Sequence, residues 1–161
     1  VENQGTFIHV VIPFEIAEEP AAVQKMSELP KENLFGCRIL LAEDNELNRE
    51  IAAFLLKDEG ISVTEAEDGQ QAVECFLKMP EGYYDAVLMD IMMPVMDGYQ
   101  AARAIRGSGK KDAEMIPIIA ITANAFSDDK ERSYKAGMNE HISKPIIKKD
   151  LLRIMKKYIP K

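Results

Sequence analysis

Charged and polar side chains follow the short apolar runs of this sequence, at the points where the runs end. Glu43 and Asp44 follow one run directly, and Asp90 follows a second. Two later runs end in Thr122 and Lys144. A carboxylate that ends a buried strand needs a charged partner or a metal ion, because burial without one has a high free-energy cost. We therefore take these five side chains as the candidate functional residues.

The three carboxylates and their neighbours fit phosphoryl-transfer chemistry. Carboxylates held close together repel one another unless a cation neutralises them. Their hard oxygens suit Mg²⁺, which leaves positions open for a phosphate, and Mn²⁺ is the alternative ion. An aspartate such as Asp90 can be both metal ligand and nucleophile, which gives an aspartyl-phosphate intermediate. Lys144 would then offset charge on the phosphoryl oxygens, and the Thr122 hydroxyl would donate a hydrogen bond to one of them.

Each of these residues also has a purely structural explanation. Asp44 precedes Asn45 and could help to cap a helix. Thr122 is a β-branched residue typical of strands, and Lys144 could be a solvated surface amine. Asp90 is harder to explain in this way, because it ends a buried apolar run. The occurrence of all five at successive run ends favours the functional interpretation.

The elements that would position these residues alternate along the chain. Near-continuous apolar runs are typical of parallel strands covered on both faces, and they occur at Arg38–Ala42, Ala86–Met89 and Pro117–Ile121. Two shorter strands are predicted at Ser62–Glu65 and His141–Ser143. Because ligands bind beyond the carboxyl ends of the strands in such sheets, the candidate residues would converge at that edge.

Helical periodicity fills the segments between the strands. Asn45 is predicted as the N-cap of the first helix and Gly60 as the residue that ends it. Its apolar residues recur at helical spacing and are Leu47, Ile51, Phe54 and Leu55. Five strands and five helices in alternation predict an α/β fold, a doubly wound five-stranded parallel sheet with helices on both faces.

Composition excludes several other classes. The 161-residue chain has 20 basic and 27 acidic residues, a net charge of −7, and such an acidic chain is a poor candidate for binding nucleic acid or an anionic membrane. Its longest apolar runs, such as Ile116–Ile121, are far shorter than a bilayer span. Cys37 and Cys75 make neither a disulfide framework nor a zinc site, so we expect a reducing cytoplasmic location.

Residues 1–36 differ from the rest of the chain. Thr6–Phe14 has the β-branched and aromatic composition of a strand. The segment that follows contains Pro20, Pro30 and several glutamates, which is typical of a linker. A single strand cannot pair its own backbone, so we expect it to be the end of another domain or an edge addition to this one.

Four separated segments carry a family resemblance. LLAEDNELN, VLMDIMMPVMDG, IIAITANAF and HISKP occur in this order, and together they resemble the response-regulator receiver domains of two-component signalling. The resemblance covers residues 38–159 and implies a flavodoxin-like receiver fold with strand order 2-1-3-4-5. We therefore expect a receiver domain at residues 37–161.

The resemblance also implies roles for the residues around Asp90. Asp90 is the expected phosphoacceptor, and Glu43 with Asp44 is the expected acidic pair. Asp44, Asp90 and the backbone carbonyl of Met92 would ligate Mg²⁺, and Glu43 would act through a water molecule. Met92 and Asn124 would flank the path of the water that hydrolyses the phosphate.

A second group of residues would respond to the phosphate. By resemblance Thr122 is the switch hydroxyl, Lys144 pairs with the phosphate, and the bond before Pro145 is cis. His141 stands where many receivers have Tyr or Phe, and it either takes part in the switch or is a partly exposed strand residue. The helix at residues 127–136 has few apolar side chains, so we expect it to shift on phosphorylation.

Three segments indicate a subtype. MDIMMPVMDG and ITANAF resemble receivers of hybrid sensor histidine kinases, and GTFIHVVIPF resembles the last strand of a kinase ATP-binding domain. The implied partners are the phosphohistidine of the parent kinase and a histidine phosphotransfer domain, with no nucleic acid and no membrane contact. We expect a monomer or weak dimer in the cytoplasm, whether or not the parent kinase is membrane-anchored, and not an independent enzyme.

Two other functions remain as alternatives. A phosphohydrolase of the haloacid-dehalogenase type also forms an aspartyl phosphate, but it needs an Asp where this chain has Met92. A degenerate receiver that only binds protein would require a damaged site, and these motifs are intact. A nicotinamide-binding Rossmann protein is excluded because no GxGxxG follows the first strand.

Overall fold

The computed structural model describes residues 34–123 and 127–159, apart from the side chains of residues 127–129. The predicted strand Thr6–Phe14, the linker after it and Asn124 lie outside these residues. The strands are β1 (Arg38–Ala42), β2 (Ser62–Ala66), β3 (Ala86–Asp90), β4 (Ile118–Thr122) and β5 (Glu140–Ser143). The helices are α1 (Glu46–Lys57), α2 (Gly69–Lys78), α3 (Gly98–Arg106), α4 (Ser127–Lys135) and α5 (Lys148–Tyr158), with a short 3₁₀ helix at Lys111–Glu114.

The strands form one parallel sheet in the order β2-β1-β3-β4-β5, which confirms the predicted fold class and strand order. The register pairs Ala42 of β1 with Met89 of β3. At the same edge Thr122 of β4 pairs with Ser143 of β5. The carboxyl ends of the central strands are therefore level with one another, and the residues that follow them share one edge.

Two apolar layers cover the sheet. Along β1, Leu40 and its alternate neighbours face a layer that includes Phe76 of α2 and Ile105 of α3. Leu41 and its alternate neighbours face the opposite layer, which includes Leu56 of α1 and Leu151 of α5. All residues of β3 and β4 are buried. This burial on both faces explains why their sequences are continuous apolar runs.

The ends of α1 are formed by the two residues that the sequence predicts. The Asn45 side chain accepts a hydrogen bond from the Asn48 amide and caps the N-terminus. At the other end Gly60 has φ +75°, and the amide of Ile61 donates to the Leu56 carbonyl while that of Gly60 donates to Lys57. This is the Schellman pattern of a glycine-terminated helix.

Of the four apolar residues that predict α1, only Leu55 packs against the core, where it is partly buried. Leu47, Ile51 and Phe54 are 64%, 45% and 68% exposed, while Ala52 and Leu56 are buried. A helical spacing of three and four residues fits two stripes of this helix equally well. Small alanines allow the other stripe to approach the sheet closely, so the larger side chains lie outside.

The packed unit includes residues on the linker side of the predicted boundary at residue 36. Leu34 is buried in the α1–α5 layer, and the Gly36 amide donates to the Gly60 carbonyl at 2.9 Å. Within the described residues, no helix has the length and apolar character needed to cross a membrane.

Candidate functional site

Three acidic side chains meet at the carboxyl edge of the sheet. Carboxylate oxygens of Glu43, Asp44 and Asp90 all lie within 4.8 Å of one another. Glu43 and Asp90 are buried, and Asp44 is exposed. The structure therefore brings together the acidic group that the sequence predicts, with one member open to solvent.

Backbone pairing fixes the two buried carboxylates. Glu43 directly follows β1, and its amide donates to the Ala66 carbonyl at 3.1 Å, which extends the ladder with β2 by one residue. Asp90 is the last residue of β3, and the next amide, that of Ile91, donates to the Ile121 carbonyl at 3.1 Å. Neither side chain depends on a mobile loop for its position.

Lys144 bridges the two buried acids. Its Nζ lies 2.7 Å from Oδ2 of Asp90 and 2.8 and 2.9 Å from the two oxygens of Glu43. The Lys144 amide donates to the Thr122 carbonyl at 2.8 Å, and the Lys144–Pro145 peptide bond is cis. These backbone features aim the lysine side chain from the end of β5 into the acidic group.

Burial and charge perturb the pKa values of this pair. Burial raises the pKa of Asp90, and neighbouring Glu43 adds to the rise, against the opposing effects of Lys144 and of the Met92 amide. Burial lowers the pKa of Lys144, but its contacts with Asp90 and Glu43 outweigh this and raise it overall. The lysine stays charged, while the Asp90 carboxylate is held at a cost in free energy.

The donor set fits a divalent cation. Three carboxylates beside one ammonium leave two uncompensated negative charges. Oε2 of Glu43 is buried and accepts no hydrogen bond, although it lies 2.8 Å from the Lys144 ammonium. Hard oxygen donors with one exposed member, Asp44, suit Mg²⁺ that keeps part of its water shell.

Met92 and Thr122 lie beside the acidic group. The Met92 amide donates to Oδ1 of Asp90 at 3.2 Å, and its side chain is exposed. Thr122 is buried at the end of β4. Both residues line an open cavity of ≈ 340 Å³ that Arg132 of α4 also borders. The carboxyl edge is therefore open on the side of α4.

His141 lies apart from the acidic group. It is half-buried on β5 and pairs in register with Ala120, two residues before Thr122. Burial and the nearby Lys130 charge lower its pKa, while Glu140 opposes them. The structure thus gives His141 no contact with the candidate metal ligands.

Sequence reasoning missed two polar residues of α1. Asn48 donates from Nδ2 to Oε1 of Glu43 at 3.2 Å, and Arg49 donates to the Glu43 backbone carbonyl at 2.8 Å. The signal in the sequence is weak, because both look like ordinary polar positions in the first turns of a helix. Their proximity to the Glu43-Asp44 pair was the available clue.

Comparison with curated proteins gives relatives that are much longer than this chain. Hybrid signal transduction histidine kinase I of Dictyostelium discoideum is 36% identical over 136 residues, which is 83% of this chain and 8% of the relative. Hybrid kinase B of the same organism is 41% identical over 132 residues, 76% of this chain and 7% of the relative. The chain spans less than a tenth of the length of either.

Solved structures include receiver domains of the same fold. The receiver domain of sensor histidine kinase PA1611 from Pseudomonas aeruginosa, with magnesium in its active-site cleft, is 42% identical, with a TM-score of 0.69 over 77% of this chain and 98% of that one. The receiver domain of Ssk1 from Saccharomyces cerevisiae, crystallised with the histidine phosphotransfer protein Ypd1, is 28% identical, with a TM-score of 0.69 over 77% and 89%.

A family model covers most of the described fold. The response regulator receiver domain model matches residues 39–156, a range that begins inside β1 and ends inside α5. This range contains every residue of the acidic group and the bridging lysine. From the sheet order, the carboxylate cluster and this match, the chain belongs to the response regulator receiver domain family.

Proposed function

We propose that this receiver domain takes a phosphoryl group from a phosphohistidine onto Asp90 and passes it to a histidine phosphotransfer domain or loses it to water. The observation that carries this proposal is the position of Asp90. It is a buried carboxylate at a strand end, bridged by Lys144 to Glu43 at 2.7 to 2.9 Å, beside an open cavity. A buried nucleophile with a fixed ammonium partner suits transfer of an anionic group.

The transfer step assigns a part to each neighbouring group. A carboxylate oxygen of Asp90 attacks the phosphorus, the phosphorus–nitrogen bond breaks, and the departing imidazole keeps that electron pair and takes up a proton. Lys144, within 2.7 Å of Asp90, turns to the incoming phosphoryl oxygens. Thr122 donates its hydroxyl hydrogen to another of these oxygens, since it ends the strand next to β3.

The same residues would hold Mg²⁺, or Mn²⁺ in its place. Asp44, Asp90 and the Met92 carbonyl are the proposed ligands, and Glu43 acts through a water molecule. When bound, the ion would neutralise charge on the phosphoryl oxygens. Magnesium in the cleft of the Pseudomonas aeruginosa relative supports this assignment.

An exposed apolar surface supports a protein partner. Leu47, Ile51 and Phe54 are exposed on α1, and Ile147 is exposed just after Lys144. Exposed apolar side chains beside a reactive group are typical of a protein interaction site. The proposed occupant is the histidine-bearing helix of the phosphotransfer partner, and the complex of the yeast relative with Ypd1 supports this class of partner.

The proposed switch runs from Thr122 to α4. Movement of the Thr122 hydroxyl towards the phosphoryl group would shift the start of α4, and His141 would respond through its place beside β4. Tyr134 of α4 is exposed, so few apolar contacts hold this helix. Amide shifts with a beryllofluoride mimic should extend to α4 and His141; shifts confined to the neighbours of Asp90 would rule the switch out.

Met92 and Asn124 are proposed to set the phosphate lifetime. The Met92 side chain is 78% exposed beside Asp90, and it can neither orient nor deprotonate an attacking water. Asn124 can hydrogen-bond water without acting as a base. Met92→Glu and Met92→Asn should speed decay of the phosphorylated protein by about tenfold, a barrier change of about 1.4 kcal/mol. Unchanged decay would show that Met92 is not the gate.

The parent protein is proposed to be a hybrid sensor histidine kinase acting from the cytoplasm. The full-length relatives that carry this name support it. In this interpretation residues 1–36 are the last strand of the kinase ATP-binding domain and a linker. This fragment alone would phosphorylate and dephosphorylate only itself.

Intact-mass spectrometry with a small phosphodonor and Mg²⁺ tests the central step. The native protein should gain one alkali-labile phosphate, and Asp90→Asn or a chelator should abolish the gain. Asp97→Asn is the matched control, because Asn also caps helices well and Asp97 caps α3 in the same loop. A phosphate retained by Asp90→Asn would refute the assignment, and continuous turnover of the donor would indicate a phosphohydrolase.

A further inference from the structure

Two consecutive residues of α1 hold Glu43 at its two ends. Nδ2 of Asn48 donates to Oε1 of the carboxylate at 3.2 Å, and the Arg49 guanidinium donates to the backbone carbonyl at 2.8 Å. Arg49 is itself steadied by Glu65 and Glu67 at 3.8 and 3.6 Å. Glu43 is therefore fixed by α1 as well as by the sheet.

The local sequence explains this geometry. Helix α1 begins at Glu46, only three residues after Glu43, and side chains in a first helical turn lean back towards the N-terminus. Asn48 can therefore reach the loop that precedes the helix. A neutral amide suits this position, because it donates to a carboxylate without adding charge to the acidic group.

The two oxygens of Glu43 have different surroundings. Oε1 accepts hydrogen bonds from Asn48 and Lys144. Oε2 is buried and lies 2.8 Å from the same Lys144 ammonium, but it accepts no hydrogen bond. A carboxylate that rotates freely would exchange these two oxygens, and the Asn48 amide opposes that rotation by engaging one of them.

We propose that Asn48 is a positioning residue for the metal site. Its hydrogen bond would hold the Glu43 carboxylate in one orientation, so that this acid is preorganised to contribute to the cation site. This inference rests on the proposed function for the identity of the cation as Mg²⁺. It predicts that loss of the amide donor weakens Mg²⁺ binding without changing how Asp90 reacts once the ion is bound.

Asn48 also lines a small groove, which is a second place where its amide could act. This groove of ≈ 90 Å³ lies between α1 and the segment after β5, lined by Asn48, Ile51, Lys144, Pro145 and Ile146. A protein partner that enters this groove would contact the same amide. The test therefore measures metal binding directly and uses a small-molecule phosphodonor.

Two substitutions at Asn48 separate the hydrogen bond from folding. Asn48→Leu removes the donor, keeps nearly the same size and favours the helix, so the free energy of unfolding should not fall. Asn48→Gln retains the amide on a longer side chain. In calorimetric titrations, Asn48→Leu should bind Mg²⁺ about tenfold more weakly than the native protein, because loss of a hydrogen-bond partner of a metal ligand typically has an effect of this size. Asn48→Gln should recover at least half of the loss in the logarithm of the binding constant.

Gln70→Leu is the matched control. Gln70 also donates an amide to a carboxylate one helical turn away, Glu74, at 3.0 Å, on the exposed surface of α2. Its replacement should leave Mg²⁺ affinity unchanged. In phosphorylation assays Asn48→Leu should need about tenfold more Mg²⁺ for half-maximal rate, while its rate at saturating Mg²⁺ should match the native rate.

The outcomes are separable from those of the proposed function. Native affinity in Asn48→Leu overturns the inference, and so does an Asn48→Gln protein that binds Mg²⁺ as weakly as Asn48→Leu. A native protein that binds Mg²⁺ but never gains a phosphate refutes phosphotransfer, while the affinity series still decides the part played by Asn48.

Discussion

The carboxyl and amino edges of the sheet differ in how their charged side chains are paired. At the carboxyl edge Glu43, Asp44 and Asp90 share one lysine, and a buried Glu43 oxygen accepts no hydrogen bond. At the amino edge Arg106 alone donates to four acceptors, the carbonyls of Ala113, Ile116 and Gly137 and the side chain of Asn139. One edge is left short of positive charge, and at the other the arginine is held by hydrogen bonds to neutral oxygens.

Two acidic residues show the same contrast in their pKa values. Burial and Glu43 raise the pKa of Asp90 at the carboxyl end of β3. Glu140 lies at the amino end of β5, and burial raises its pKa too. Hydrogen bonds from Lys157 and from the His141 amide outweigh this effect, so the pKa of Glu140 is lowered overall. Ionised Glu140 therefore stabilises the fold, and ionised Asp90 destabilises it.

The difference indicates where the fold gives up stability for chemistry. Violations of charge pairing in natural proteins are expected at functional sites and are offset elsewhere in the structure. Here the offset lies at the amino edge, where Arg106 joins the end of α3 to the starts of β4 and β5. Substitutions that remove the hydrogen bonds at the amino edge should therefore lower stability, and substitutions of the acidic group at the carboxyl edge should abolish phosphorylation without lowering stability.

Arg106→Met should have the largest effect on stability. Methionine keeps much of the volume but removes the donor of three backbone carbonyls at the amino edge, while Asn139 keeps only its hydrogen bond from the Ile118 amide. We expect the free energy of unfolding to fall by about 3 kcal/mol, measured by urea denaturation. Below the unfolding transition, one phosphate should still be added at Asp90.

Arg103→Met provides the control for this prediction. Arg103 lies one turn earlier on α3 and is exposed, so its loss should change the free energy of unfolding by less than about 0.5 kcal/mol. Equal destabilisation by both substitutions would mean that helix charge, and not the four hydrogen bonds, is responsible.

Asp90→Asn should act in the opposite direction. Because the pKa of Asp90 is raised, its ionised form opposes folding, and the asparagine variant should be more stable by about 1 kcal/mol at pH 7 in a chelating buffer. The gap should be smallest below pH 3.8, the ordinary pKa of Asp, and should open as pH rises through the raised pKa. A gap that is largest in acid would contradict the assigned direction.

The sequence predicts the sheet well because strands that are buried on both faces need continuous apolar runs, which are visible in the sequence. The continuous apolar residues of β3 and β4 are required by their position between two layers. The residues that end these strands are equally visible, since Asp90 and Thr122 interrupt an apolar run. The fold class and the acidic group could therefore be inferred from the apolar runs and the residues that end them, whereas the strand order was implied by the family resemblance.

Other features could not be inferred, for physical reasons. Helical periodicity does not reveal which of two apolar stripes faces the sheet, so the exposure of Leu47 and Phe54 was unforeseen. The hydrogen bond from Asn48 to Glu43 depends on how α1 leans over the preceding loop. Val95 has φ +64°. Because β-branched residues rarely adopt this conformation, a valine at this position does not predict it.

Val95→Gly should stabilise the loop beside Asp90. Val95 is 78% exposed, so its removal loses little buried apolar surface, while glycine adopts positive φ without the steric cost. The greater conformational freedom of glycine in the unfolded state opposes this gain. We expect a net increase of about 1 kcal/mol in the free energy of unfolding.

Val95→Ala should recover only part of this gain, because alanine keeps the Cβ atom that disfavours positive φ. Urea denaturation of the two variants in parallel gives the comparison. Destabilisation by Val95→Gly would mean that contacts of the valine side chain contribute more free energy than its backbone strain costs. The loss of stability at the carboxyl edge would then be limited to the acidic group and would not include this loop.

Glu140→Gln should have the smallest effect. Glu140 accepts from Lys157 at 2.7 Å and from the His141 amide at 3.3 Å, but Lys157 is exposed, so solvent screens the pair and the loss should be about 0.5 kcal/mol. Its lowered pKa means that this contribution is complete above pH 4.5, the ordinary pKa of Glu, and disappears as pH falls through the lowered value. The stability of the native protein minus that of Glu140→Gln should therefore increase as pH rises, whereas the stability of the native protein minus that of Asp90→Asn should decrease as pH rises. If both differences change with pH in the same direction, the two edges do not differ electrostatically.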